Sequence, residues 1–168
     1  MAVLELNGEK VNVFPFSEEY AALQDVPIAS VCTVWEHPQN GELWMLVFHE
    51  ALFVGSQLEE SLLCPNQMRA AGVAIEDAPI QFDASSSHSI KAEGAPVIPL
   101  QMHGVISHFR TRLPTDEEIQ HYRDGQFQSI VLIDDVPWEP YSEEFAIRES
   151  VALALRSISA IHTLPGTA

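Results

Sequence analysis

His49 and Glu50 open a His-Glu-x-x-His pattern, which on a helix would set two imidazoles one turn apart on a single metal ion. Phe53 stands where the second histidine belongs, so the pattern is incomplete. His103 and His108 are separated by five positions, which on one regular strand turns them to opposite faces, and no cysteine or regularly spaced carboxylate accompanies them. No Gly-x-Ser-x-Gly elbow occurs, and neither Cys32 nor Cys64 has an activating neighbour in sequence. The eight glycines are scattered singly and form no phosphate-cradling loop. Acidic pairs stand at Glu59-Glu60, Glu117-Glu118, Asp134-Asp135 and Glu143-Glu144, but adjacent residues diverge on a helix or a strand, and these read as solvated charges. No catalytic, cofactor-binding or metal-binding residue is assigned on this basis, and no cofactor is expected.

The whole chain must be weighed next. It has 168 residues, 24 of them acidic against 8 basic, for a formal net charge of −16. With 46% hydrophobic and 19% charged residues it carries enough apolar material for one folded, acidic domain. Its only lysines are Lys10 and Lys91, so a phosphate backbone or an anionic membrane surface finds no basic cluster to bind. The densest apolar run, residues 43–48, is far shorter than the ~20 residues of a spanning helix. Residues 1–10 contain no cationic start followed by an apolar stretch, so no secretory signal is expected and an intracellular, cytoplasmic setting is. Cys32 and Cys64 form no Cys-x-x-Cys pair and read as two buried thiols.

The elements follow from pattern. Residues 3–6 and 11–14 are β-rich runs on either side of Asn7-Gly8, which predicts a tight hairpin. Residues 27–36 and 42–53 predict a second pair of strands around a turn at 37–41, and the centre of the latter, 43–48, is apolar on both faces. Pro65 and Gly72 bracket a short helix over 66–71. Residues 78–95, rich in small and polar side chains, read as a flexible loop. Strand-like alternation returns at 97–102 and 105–112 around a bend at Gly104. Thr115 is placed as the N-cap of a helix running to Arg123, residues 130–133 as a buried strand, and Ser142 as the start of a longer helix to about 161. Phe145, Ala152, Leu155 and Ile158 share one face of that helix, to pack on the sheet or to dock a partner helix.

The stretch Ser61-Leu62-Leu63-Cys64-Pro65-Asn66-Gln67-Met68-Arg69-Ala70-Ala71-Gly72, preceded by Met45-Leu46-Val47-Phe48-His49-Glu50-Ala51-Leu52-Phe53, resembles the protease region of copia-like retrotransposon polyproteins. The likeness continues through Val97-Ile98-Pro99-Leu100-Gln101-Met102-His103-Gly104-Val105, Arg112-Leu113-Pro114-Thr115-Asp116-Glu117-Glu118 and Asp135-Val136-Pro137-Trp138-Glu139-Pro140, takes in Asn7-Gly8-Glu9-Lys10-Val11-Asn12-Val13 and Val26-Pro27-Ile28 as well, and covers roughly residues 4–145. It implies a mainly β fold with a few helices: a retropepsin-like body over 1–78, a flexible loop over 79–95, and a C-terminal extension over 96–168 packed on the body. The short helix after Leu63 would be the one near the end of the protease body.

Such proteases carry an Asp-Thr/Ser-Gly loop, or in this group an Asp-Thr-Cys-like variant, upstream of the first matching words. The aspartates of this chain stand in Asp25-Val26-Pro27, Asp77-Ala78-Pro79, Asp83-Ala84-Ser85, Asp124-Gly125-Gln126 and Asp134-Asp135-Val136, and none has that order. Asp83 is the nearest mimic, but it follows the helix instead of preceding it. The resemblance therefore implies a catalytically incomplete, non-enzymatic module that binds a protein or peptide partner or a second copy of itself. The other reading is a fragment of an active aspartic protease, completed by upstream sequence or a partner chain.

Overall fold

The computed structural model describes residues 1–14, 19, 21–55 and 60–162, with side chains described up to 155. The class is mainly β with open sheets. Four strands form the principal sheet: β1 (Ala2–Val13), β2 (Leu23–Glu36), β3 (Leu43–Leu52) and β9 (Ser129–Ile133), in the order β1-β2-β3-β9. The first three are antiparallel neighbours, and β9 joins β3 in parallel. Between β3 and β9 the chain forms α1 (Pro65–Ala70), a small sheet of β4 (Ala74–Glu76), β5 (Ser89–Lys91) and β6 (Ile98–Pro99), a hairpin of β7 (Gln101–His103) and β8 (Ile106–His108), and α2 (Asp116–Arg123).

The apolar centre of β3 explains the layering. Met45, Leu46, Val47 and Phe48 are all at most 1% exposed, so both faces of this strand are covered. Leu46 and Phe48 join Ala29, Val31 and Trp35 of β2 in one cluster, which takes in Met68 of α1, Val73, Ile90 of β5, Ile98 of β6 and Ile130 and Leu132 of β9. Met45 and Val47 join Cys32 and Val34 in a second cluster, against which Ile119 and Tyr122 of α2 pack. Period-two alternation sends neighbouring residues to opposite faces, and α2 seals one while α1 and the small sheet seal the other.

The β2–β3 pair lies as its pattern predicts, closed by a turn in which His37 N–H donates to Glu42 O (2.8 Å), with Gly41 at φ +73°. The Asn7-Gly8 hairpin does not form. β1 runs through both halves as one strand, pairing Leu6 with Ala29 and Lys10 with Pro27, so two extra residues bulge out around Gly8 at φ +85°. The positive φ that Asn-Gly supplies serves a bulge, because β2 is long enough to pair with both halves. Residues 79–95 are not all loop: Ile90 and Ser89 of β5 are buried between β4 and β6.

The chain forms two compact units, Met1–Val136 and Pro137–Ala168. β9 completes the principal sheet, so the sheet body does not stop at residue 78 and the stretch 96–136 is not an appendage to it. In the second unit α3 (Glu143–His162) starts where Ser142 Oγ accepts from Phe145 N–H (3.2 Å), and Trp138 meets the Phe145 ring edge-on at 5.5 Å. The side chain of Ile158 lies outside the described residues. Among the described residues no helix is long and apolar enough to cross a membrane.

Candidate functional site

Four segments of the first unit converge on a cleft of about 320 Å³: Trp44 at the start of β3, the exit of α1 at Ala71-Gly72-Val73, the β5–β6 connection at Ala92-Glu93-Gly94-Ala95, and Ser129-Ile130-Val131 of β9. Each wall has a local cause. α1 terminates in a Schellman motif, in which Gly72 N–H donates to Arg69 O and Val73 N–H to Met68 O (3.1 and 3.0 Å), with Gly72 at φ +84°. Met68 and Val73 carry its apolar contact into the core, which pins the helix exit to the sheet. The β5–β6 connection turns at Gly94, φ +69°.

β9 supplies an open edge. Met45 N–H donates to Gln128 O (2.8 Å), and the alternation of a parallel ladder then points the backbone groups of Gln128 and Ile130 at β3 and those of Ser129 and Val131 away from it. No strand pairs with that outer side among the described residues. The Ser129 and Val131 side chains are exposed while Ile130 and Leu132 are buried. Trp44, one of the lining residues, keeps its indole Nε1–H buried from solvent, where it meets no acceptor among the described residues. An unpaired strand edge can take an added strand through backbone hydrogen bonds.

The residues singled out by sequence lie elsewhere. His49 Nδ1 sits 3.0 Å from Ser30 Oγ across the β2–β3 pair. Burial, then the nearby Glu9 charge, raises the Glu50 carboxyl above its ordinary range, while Asn7 Nδ2 donates weakly to it (3.4 Å). His103 and His108 are not turned apart. The two-residue turn of β7–β8 pairs His103 with Ile106, which returns His108 to the same face, and the rings meet edge-on at 6.1 Å. Among the described residues no group of three or more His, Cys, Asp or Glu is arranged to hold a metal. Cys32 is fully buried as expected, and burial pushes its thiol up to about 11; Cys64 is exposed, since it precedes Pro65 as the N-cap of α1.

The aspartates are held singly. Asp83 Oδ1 accepts from Ser85 Oγ and N–H (2.6 and 2.9 Å), which lowers its pKa in an exposed turn; Asp77 pairs with Arg69 at 2.9 Å, and Asp134 accepts from Val136 N–H at 3.3 Å. Sequence reasoning missed two features. His88, 5% exposed at φ 44°, reaches Ser107 Oγ with Nε2 at 2.9 Å, and Trp44 carries the orphaned indole. Gly72 and Gly94 were the available signal for the cleft, because both break the chain where its walls turn.

No protein-family model matches the chain, and comparison with curated proteins and with solved structures returns no match.

Proposed function

We propose that the chain is a retrotransposon-derived, aspartic-protease-like domain that works as a non-enzymatic binding module for an extended protein or peptide segment. The observation that supports it most is the open outer edge of β9, to which an extended segment can add by backbone pairing. The aspartates add to it. Acid–base peptide hydrolysis needs two carboxylates sharing one proton, whereas Asp77 and Asp83 are each engaged by Arg69 and Ser85. An acidic surface of net charge −16 favours basic protein partners over nucleic acid.

The same open edge favours the second reading, a protease fragment completed by another strand. One experiment separates the two: a broad library of extended peptides is incubated with the protein from acidic to neutral pH, with and without pepstatin. Retention of intact peptides supports the binding module. Pepstatin-sensitive cleavage, lost in Asp83→Asn, would establish an enzyme and end the proposal.

A further inference from the structure

We infer that His103 and His108, the two imidazoles that meet across the β7–β8 hairpin, form a two-ligand site for a divalent transition-metal ion of the zinc, nickel and copper class. The inference stands apart from the peptide-binding reading, since it uses none of the residues that line the β9 cleft.

The turn makes the site. Five positions along one straight strand set two rings on opposite faces, but here Gly104 and Val105 reverse the chain, so that Gln101 stands opposite His108 and His103 opposite Ile106. Cross-strand partners share a face, and so do residues two apart on one strand, which puts all four side chains on the same side of the hairpin. The other side is engaged. Ser107 Oγ lies 2.9 Å from Nε2 of the buried His88 and donates to Met102 Sδ (3.5 Å), which ties the hairpin to the residues that lead into β5. On the histidine side His103 is exposed, and so is Ile106 opposite it at 60%, so hydrated ions reach the His103 ring.

The ring spacing fits one ion. Zinc–imidazole bonds of about 2.0 to 2.1 Å at a tetrahedral angle place two ligand ring centroids about 5 Å apart. The centroids here are 6.1 Å apart with the ring planes at 66°, so about 1 Å of side-chain adjustment seats both rings on a shared ion. Exposed side chains adjust on that scale within nanoseconds. Nδ1 of His108 is buried without a partner, which leaves Nε2 as the nitrogen that takes the ion. The proton then rests on Nδ1, where it meets no acceptor, and this holds the affinity below that of a site with a carboxylate behind each imidazole. Water fills the remaining coordination positions. Imidazole nitrogen suits zinc, nickel and copper, whereas magnesium and calcium take oxygen ligands. The net charge of −16 draws cations to the whole surface, and the second imidazole localises one, because its bond forms within the molecule once the first is made.

The test titrates the full chain with zinc chloride by calorimetry and follows the histidine ring signals by NMR. The chain carries Cys64→Ser, so that the exposed thiol does not compete for the ion. One zinc ion per chain is expected, with the His103 and His108 signals moving together. They are expected to move before those of His121, whose Nε2 stands 4.0 Å from Glu117 on α2. His103→Ala is expected to weaken binding about tenfold or more, and His108→Ala likewise, because either change removes the chelate. His108 is partly buried, so the exposed His103→Ala, which leaves the packing of the hairpin alone, carries the decision. An equal concentration of magnesium chloride is expected to leave the zinc isotherm unchanged. Unchanged affinity in His103→Ala would overturn the assignment, as would zinc that moves the His121 or His49 signals first. Displacement of zinc by magnesium would overturn it too, and so would the absence of saturable binding at about 1 mM zinc.

Discussion

Arg112 holds Glu118 with both arms of its guanidinium, Nη1 to Oε2 at 2.8 Å and Nη2 to Oε1 at 2.6 Å. The same carboxylate accepts from Thr115 N–H at 2.8 Å and closes the capping box of α2, while the Arg112 backbone exchanges two hydrogen bonds of 2.9 Å with Val34 of β2. One side chain thus ties the start of α2 to the sheet whose second face that helix covers.

Removing the charge should therefore loosen α2. The Arg112 guanidinium, helped by Thr115 N–H, holds the Glu118 carboxyl at about 2, against an ordinary value of 4.5. A depressed carboxyl stabilises the fold above its unfolded pKa, and that contribution fades as pH falls from the ordinary value through the folded one. Arg112 is half exposed, which screens the pair, so Glu118→Gln should cost about 1 to 2 kcal/mol at neutral pH. Urea unfolding of both proteins should show that gap at pH 7 and its near closure close to pH 2. A gap that stayed constant through this window would mean the ion pair contributes nothing.

Leu62, Leu63 and Met68 are alike in sequence as apolar residues around the short helix, and all three are expected in the core. The structure separates them. Met68 is 1% exposed, Leu63 packs partly against the same cluster, and Leu62 is 77% exposed. Met68→Ala should cost about 2 to 5 kcal/mol, because it opens a cavity between α1 and the sheet. Leu62→Ala should stay within about 0.5 kcal/mol. Equal losses in the two variants, measured by chemical denaturation, would refute this division of the motif.

That contrast shows what the residues disclosed. Short-range signals read true where one segment decides its own geometry: Thr115 with Glu118 for a capped helix, Pro65 and Gly72 for the ends of α1, and the apolar run 43–48 for a strand covered twice. They misled where a distant segment decides. Asn7-Gly8 has the chemistry of a hairpin turn, yet β2 pairs with both flanks and makes it a bulge. The serine-rich stretch after Asp83 looks unstructured, but Glu76 Oε2 accepts from Ser87 N–H at 2.6 Å and β4 and β6 enclose β5 behind it. The cleft leaves no trace beyond the chain breaks at Gly72 and Gly94 for the same reason, since its walls come from four segments between Trp44 and Val131.

The two thiols should react differently. Cys32 is wholly buried between β2 and its second-face neighbours, and desolvation holds its thiol near 11, so little thiolate forms at neutral pH. Cys64 is exposed. A thiol-exchange reagent at pH 8 should titrate one group in the folded protein and two in urea, and Cys64→Ser should abolish the folded-state signal. Rapid reaction of both groups in the native protein would contradict the burial of Cys32.

The bulge at Gly8 separates a continuous β1 from a hairpin. A tight hairpin at Asn7-Gly8 brings Leu6 opposite Glu9 and Leu4 opposite Val11, whereas the structure brings Leu6 opposite Ala29 and Lys10 opposite Pro27. Gly8 has φ +85° and nothing within 4 Å of where a Cβ would stand, so a side chain there meets no clash and the cost is the backbone's alone. Gly8→Ala should destabilise the protein by about 1 to 2 kcal/mol through the left-handed conformation it forces on an L-residue. Asn7 supports the same conformation, its Oδ1 accepting from Glu9 N–H at 2.9 Å, so Asn7→Ala should cost a further, smaller amount of about 0.5 to 1.5 kcal/mol. Stability alone does not distinguish a bulge from a turn, because both need glycine. The deciding measurement is the cross-strand pattern of backbone NOEs: contacts from Leu6 to Ala29 and from Lys10 to Pro27 are expected, and contacts from Leu4 to Val11 would restore the hairpin and remove β1's second half from the principal sheet.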